Sequence, residues 1–127
     1  MEVTIKHKFI TLNDYIDKER IPHKGKFIAN AIKQDETNQV VKQVKQFKYE
    51  TLEGKYDVIF KWKLKSMRCD PDNIAFGQKF ILDGLVRANY LKNDTFKHIN
   101  SIKHEFEKGN SYEVSIVFEE VCGICTL

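Results

Sequence analysis

Residues 56–64 read Tyr-Asp-Val-Ile-Phe-Lys-Trp-Lys-Leu and carry the clearest secondary-structure signal in the chain. Every second position is aromatic or aliphatic, and successive side chains of a strand point to opposite faces of a sheet. The stretch therefore predicts a strand with one buried face. The other face carries lysines, and the alternation continues one step past the strand, so we name Lys61, Lys63 and Lys65 the lysine ladder.

Further helices and strands are predicted on both sides of this strand. Thr11 or Asn13 can cap a short helix that follows the first strand, and Asn89 can end the last helix in a left-handed conformation. The polar run 35–38 leaves open a kink or a break in the longest helix. The predicted strands cover about 3–9, 56–64, 97–106 and 112–119, and the two longer helices about 26–47 and 73–88.

The order of these elements, β-α-β-α-β-β, predicts an α+β fold with a mixed sheet and helices packed on it. Gly109-Asn110 lies between the last two strands and is typical of a hairpin turn, so those strands are predicted to pair. A length of 127 residues fits one domain, residues 1–127.

Charge is unevenly distributed along the chain. The net charge is +3 overall, but residues 1–69 carry a net positive charge and residues 70–127 a net negative one. This suits a protein that grips phosphates with one part and holds cations with another, although a solvated surface explains it as well. No run of ~20 apolar residues is present and the first residues lack the apolar core of a signal peptide. We therefore expect a cytoplasmic protein with no membrane partner.

Three cysteines cannot all pair within one chain. Cys122 and Cys125 form a CxxC motif, but too few residues follow it to build the helix of a redox motif. Cys69 and the scattered histidines show no zinc-binding spacing. Reduced thiols are the simplest interpretation.

The segment Asp70-Pro71-Asp72-Asn73 is the most informative for function. Its two carboxylates are two residues apart, so in an extended chain they point to the same side. Two close carboxylates repel each other, and a divalent cation removes that penalty. The same tetrapeptide is also typical of a turn followed by a helix N-cap, and its sequence alone does not separate the two interpretations.

A longer pattern resembles the RusA-type Holliday junction resolvases. It runs from Arg68-x-Asp70-Pro71-Asp72-Asn73 through Lys79 and Asp83 to Asn93-Asp94, about a fifth of the chain. In addition, Leu12–Tyr15 resembles the loop after the first strand that touches DNA in that family. Two features depart from the pattern: the spacer before Lys79 is longer than one known form, and only one of the residues Asn93-Asp94 is acidic.

The resemblance implies a homodimeric endonuclease that cuts four-way DNA junctions in recombination or repair, often encoded by a phage or prophage and acting in the bacterial cytoplasm. The implied ligands of Mg²⁺, for which Mn²⁺ can substitute, are Asp70, Asp72 and Asp94, which with Lys79 near the scissile phosphate would be catalytic. Asn73 would support the site and Asp83 would orient Lys79 or lie in the outer sphere of the metal. The expected DNA-binding residues are Asn13, Asp14, Tyr15, Lys24, Lys26, Lys63, Lys65 and Arg68.

Several alternatives stay open. Lys79 and Asp83 are four residues apart and could form an ordinary exposed ion pair. The lysine ladder could be a solvated sheet face. The chain could be a nuclease for flaps or forks, or a catalytically silent module that binds branched DNA. If the metal site is real, the carboxylates of Asp70, Asp72 and Asp94 should converge on one point.

Overall fold

The computed structural model describes residues 1–121, so Cys122 and Cys125 lie outside the described residues. Cys69 is an exposed free thiol. The strands are β1 (Glu2–Ile5), β2 (Tyr56–Leu64), β3 (Ile99–Lys108) and β4 (Glu113–Glu120), and the helices are α1 (Leu12–Glu19), α2 (Gly25–Val44), α3 (Pro71–Ala75) and α4 (Gln78–Arg87). None of these helices combines the length and apolar composition that crossing a bilayer requires.

The predicted α+β domain with a mixed sheet is confirmed. The strands lie in the order β1-β4-β2-β3, with β4 antiparallel to both of its neighbours and β3 parallel to β2. The alternation along β2 also holds, since Tyr56, Val58 and Phe60 are buried together with the other apolar residues of their face. Helix α4 packs closely on α2 at Gly84. A Cβ added to this glycine would lie only 2.5 Å from the Cβ of Val40.

The predicted hairpin between the last two strands is wrong. β3 and β4 flank β2 on opposite sides, and the short connection between them crosses the end of β2. The N–H of Gly109 donates to the carbonyl of Leu64 at 2.8 Å. A side chain on Gly109 would overlap that of Lys63, and no glycine of the described chain has a positive φ. Glycine is needed here for a close approach to β2 and not for a left-handed turn.

The predicted helix at 73–88 is divided into α3 and α4. The chain turns at Phe76-Gly77, where a Cβ on Gly77 would lie 2.9 Å from the ring of Trp62. Asn89 has φ 60°, as predicted for a left-handed helix end. By contrast, α2 runs without interruption through the polar residues 35–38.

The first strand is shorter than predicted. β1 ends at Ile5, although Phe9 is still buried against Trp62 with ring centroids 6.3 Å apart. Thr11 is the N-cap of α1, and its hydroxyl accepts from the N–H of Asp14 at 3.3 Å. The segment from 6 to 11 therefore leaves the sheet but stays on the core beside the end of β2.

Candidate functional site

A cavity of about 590 Å³ opens at the end of β2. It is bounded by the segment after β1, the end of β2 with the loop that follows it, the start of α3, and the start of β4. Six of the residues selected from the sequence line it: Asn13, Asp14, Lys63, Arg68, Asp70 and Asn73. The two segments that resemble the resolvases, around residues 12–15 and 68–73, therefore meet in one place.

Asn73 joins these two segments. It is only 8% exposed, and its side-chain oxygen accepts a hydrogen bond from the N–H of Asn13 at 3.0 Å. Its own N–H lies 3.0 Å from a carboxylate oxygen of Asp72, which accepts from it. Buried polar groups are normally satisfied in this way. Asn73 thus ties the start of α3 to the start of α1.

Asp70 occupies the N-cap position of α3, with φ −68° and ψ 152°, and Pro71 follows at the first helical position. Its side chain makes no capping hydrogen bond. The interpretation of this segment as a helix start is therefore correct for the backbone. The carboxylate is not used for capping and faces the cavity, where it is exposed and free to meet a ligand.

Asp94 lies at the opposite end of the sheet. The residues on either side of it are held at the start of β2: the N–H of Lys92 donates to Leu52, and the N–H of Tyr56 donates to His98. From Tyr56 to Leu64 the strand spans roughly 25 Å at ~3.3 Å per residue. Asp70 and Asp94 therefore do not meet within one chain. Residues 1–121 contain no group of three or more His, Cys, Asp or Glu side chains arranged to hold a metal ion.

Asp72 and Lys79 lie outside the cavity lining. Asp72 is exposed in the first turn of α3. Lys79 is on α4, where its Nζ lies 3.3 Å from a carboxylate oxygen of Asp83 with both side chains partly or largely exposed. This is the ordinary i,i+4 ion pair that the spacing allowed. Nothing in the geometry of a single chain brings Lys79 to Asp70.

The lysine ladder lies on a face of mixed charge. Lys63 is flanked by Glu107 on β3 and Glu113 on β4, and Lys61 is flanked by Glu105 on β3. Cross-strand neighbours of opposite sign partly neutralise each other, so the ladder is a weaker phosphate-binding surface than its sequence indicates.

The other predicted DNA contacts are scattered. Lys24 and Lys26 are exposed at the start of α2, and Lys65 is exposed just beyond β2; all three lie outside the cavity. Tyr15 packs against Phe76 with ring centroids 5.2 Å apart, and this contact gives it a role in the core. Only Asn13, Asp14, Lys63 and Arg68 remain at the cavity.

Sequence reasoning missed one polar cluster at the rim. Glu36 accepts from the N–H of Ile10 at 2.9 Å, and its other oxygen lies 2.8 Å from Nε2 of His7. This carboxylate fixes the segment after β1, which carries Lys8 over the ring of Tyr112 at 4.9 Å. The sequence carried a signal for this cluster. Glu36 is four residues before the buried Val40, so this carboxylate lies on the same face of α2 as a core residue.

Comparison with known proteins adds no family to these observations. The chain matches no protein-family model, and no curated protein sequence matches it. The resemblance to the resolvases therefore rests on the residues themselves.

Proposed function

We propose that this chain is a magnesium-dependent endonuclease acting on four-way DNA junctions, with Asp70 at the centre of its cleavage site. One observation carries the proposal: the unengaged carboxylate of Asp70 shares a cavity with the loop at Asn13, and Asn73 links the two. These are the two segments that resemble the resolvases. The setting we propose is recombination or repair in a bacterial cytoplasm, with a phage or prophage as the source.

The charges around the cavity suit a phosphodiester backbone. The lining includes cations and carboxylates together: Lys8, Lys63, Arg68, Asp14, Asp70 and Glu113. Cations bind phosphates without reading bases, which agrees with recognition of a branched shape. Carboxylates repel phosphates unless a cation lies between them, and oxygen-ligated Mg²⁺ is such a cation. When bound, Mg²⁺ would polarise the phosphoryl oxygen and lower the pKa of an attacking water.

The proposed ligand set needs two chains. Asp70 and Asp72 are close in sequence at one end of the sheet, but Asp94 of the same chain is at the other end. One chain therefore does not fit a three-aspartate site. If all three aspartates bind one ion, the partner subunit's Asp94 must supply the third carboxylate. A two-fold homodimer would form two equivalent sites of this kind, one for each strand to be cut in a junction.

The test is magnesium-dependent nicking of a synthetic four-way junction, with duplex, flap and fork substrates beside it. Asp70→Asn keeps the shape of the side chain and removes its charge, so we expect cleavage to collapse while junction binding persists or tightens. Asp17→Asn is the matched control, because Asp17 is exposed on α1 and does not line the cavity. Equal cleavage of the junction by the two variants would exclude Asp70 from the reaction. Faster cutting of flaps or forks than of the four-way junction would make those structures the preferred substrate instead.

A second function, a silent module that binds branched DNA, is favoured by the absence of a three-ligand cluster within residues 1–121 of one chain. It predicts tight junction binding with no nicking in either Mg²⁺ or Mn²⁺. In that case Asp70→Asn would tighten binding without any loss of activity to measure.

A further inference from the structure

β3 is a long edge strand with little cover on either face. Its ten residues pair with β2 on one side, and no strand within residues 1–121 pairs with its other side. On the face toward the helices, Ile102 is 42% exposed and His104 and Phe106 are only half-buried. On the other face the side chains are charged or polar and exposed. An edge of this length offers a row of unpaired backbone donors and acceptors.

Side-chain hydrogen bonds fix β3 to its neighbours at two places. The indole N–H of Trp62 donates to Nδ1 of His104 at 2.9 Å, and Nε2 of His104 donates to Gln78 at 2.8 Å. Near the start of β3, the carboxylate of Asp57 accepts from Asn100 and Ser101 at 2.7 and 2.6 Å. A surface that is already ordered loses less entropy when it binds.

We propose that β3 pairs antiparallel with β3 of a second copy of this chain, about a two-fold axis that passes through His104. This register sets Lys103 opposite the partner's Glu105 and Ile102 opposite the partner's Phe106. Each such contact occurs twice because the axis repeats it. Charged residues on an edge usually oppose pairing, but here their order makes the edge complementary to itself.

The neighbouring registers are less favourable. A two-fold axis perpendicular to the sheet keeps each face on its own side, so only shifts that preserve the alternation are allowed. Moving the axis to residue 103 places Lys103 opposite the partner's Lys103. Moving it to residue 105 sets Lys103 opposite the partner's Glu107, but it places Glu105 opposite the partner's Glu105, a repulsion that the register about His104 does not have. Like charges directly opposite each other are destabilising, so the charges select one register.

The existence of a homodimer rests on the proposed function, whereas the choice of β3 as its surface and of this register rests on β3 alone. The register has one consequence for the candidate site. In this register the start of the partner's β3 lies beside the end of this one, near Gly109 and at the same end of the sheet as Asp70. The loop before the partner's β3 then comes to that end, with the partner's Phe96, whose equivalent in one chain is 92% exposed. The dimer would cover this aromatic ring.

Sedimentation equilibrium of the full chain tests the register without any measurement of nuclease activity. Lys103→Glu and Glu105→Lys should each raise the dimer dissociation constant about tenfold, because each turns two attractive contacts into repulsive ones. The double variant Lys103→Glu/Glu105→Lys should return to the wild-type value. Lys42→Glu, an exposed position on α2, makes the same charge change and should have no effect.

A mixing experiment separates the proposed contact between chains from effects within one chain. Within one chain, Nζ of Lys103 also lies 3.3 Å from a carboxylate oxygen of Glu105. Chains carrying Lys103→Glu and chains carrying Glu105→Lys should associate with each other about as tightly as wild type, although each associates poorly with itself. Only a contact between chains gives this result. A monomeric wild type at tens of micromolar, or a dimer indifferent to all these variants, would overturn the proposal, and the second result would leave a dimer through another surface intact.

Discussion

Asn73→Ala should separate the two segments that meet at the cavity. The substitution removes the oxygen that accepts from the N–H of Asn13 at 3.0 Å, and it leaves a small void where a buried amide was. An unsatisfied buried donor costs about 1–3 kcal/mol. Because Asn13 itself is exposed, water can partly replace the lost acceptor, so we expect the lower part of that range, about 1–2 kcal/mol. With a urea m-value of about 2 kcal/mol/M, the unfolding midpoint should fall by roughly 0.5–1 M.

Two further variants make this result specific. Asn73→Asp keeps an acceptor oxygen and should lose less stability than Asn73→Ala, while Asn93→Ala on an exposed loop should change stability by under ~0.5 kcal/mol. Amide exchange at Asn13 should quicken in Asn73→Ala and remain slow at Leu85 in the core. If Asn73→Ala is no more harmful than Asn93→Ala, and exchange at Asn13 is unaltered, the link between the segments is not held by this hydrogen bond.

Gly84→Ala should destabilise the fold by about 1–3 kcal/mol in urea unfolding, because its methyl group would lie 2.5 Å from the Cβ of Val40; a stabilised variant would mean that α2 and α4 are free to move apart. Burial lowers the pKa of His104 below its ordinary value of 6.5, so the unfolded chain takes up the proton before the folded one. The free energy of unfolding should therefore fall as the pH drops below about 6.5. His104→Gln should remove this part of the pH dependence, measured by urea unfolding at pH 7.5 and 5.5. Replacing Lys63 and Arg68 by glutamine should flatten the dependence of log K on log salt for junction binding by roughly one unit per lost contact, and an unchanged slope would place the phosphate contacts elsewhere.

Local signals in the sequence were reliable where one physical cause dominates. The alternation of β2 follows from one buried sheet face, the Thr11 cap from unsatisfied helix donors, and the left-handed Asn89 from the tolerance of asparagine for that conformation. The break at Gly77 was not predictable in this way. It depends on the approach of Trp62, which is distant in sequence, so no local pattern contains it.

The candidate site was predicted in part for a related reason. Asp70, Asn73 and the loop at Asn13 were selected from sequence, and they meet in one cavity. Tyr15, which is expected to bind DNA, is partly buried and packs against the rings of Phe76 and Phe80. The resemblance selected two segments that meet at the cavity, whereas which side chains of each segment face the cavity depends on packing that the sequence does not display.

The expectation that Asp94 would join Asp70 came from the resemblance and from the positions of these residues before and after one predicted helix, whose two flanking loops were expected to lie at the same end of the sheet. Parallel strands, however, require the connecting helix to carry the chain back to the end where the first strand began. Because β3 is parallel to β2, a residue just after β2 and a residue just before β3 must lie at opposite ends of the sheet. Within one chain, Asp70 and Asp94 are separated by topology, and side-chain movement cannot bring them together.

A magnesium site built from both aspartates must therefore lie between two chains. The rate of junction cleavage per chain should fall steeply over the range of dilution in which the dimer dissociates. At concentrations where the dimer stays intact, the rate per chain should not depend on protein concentration.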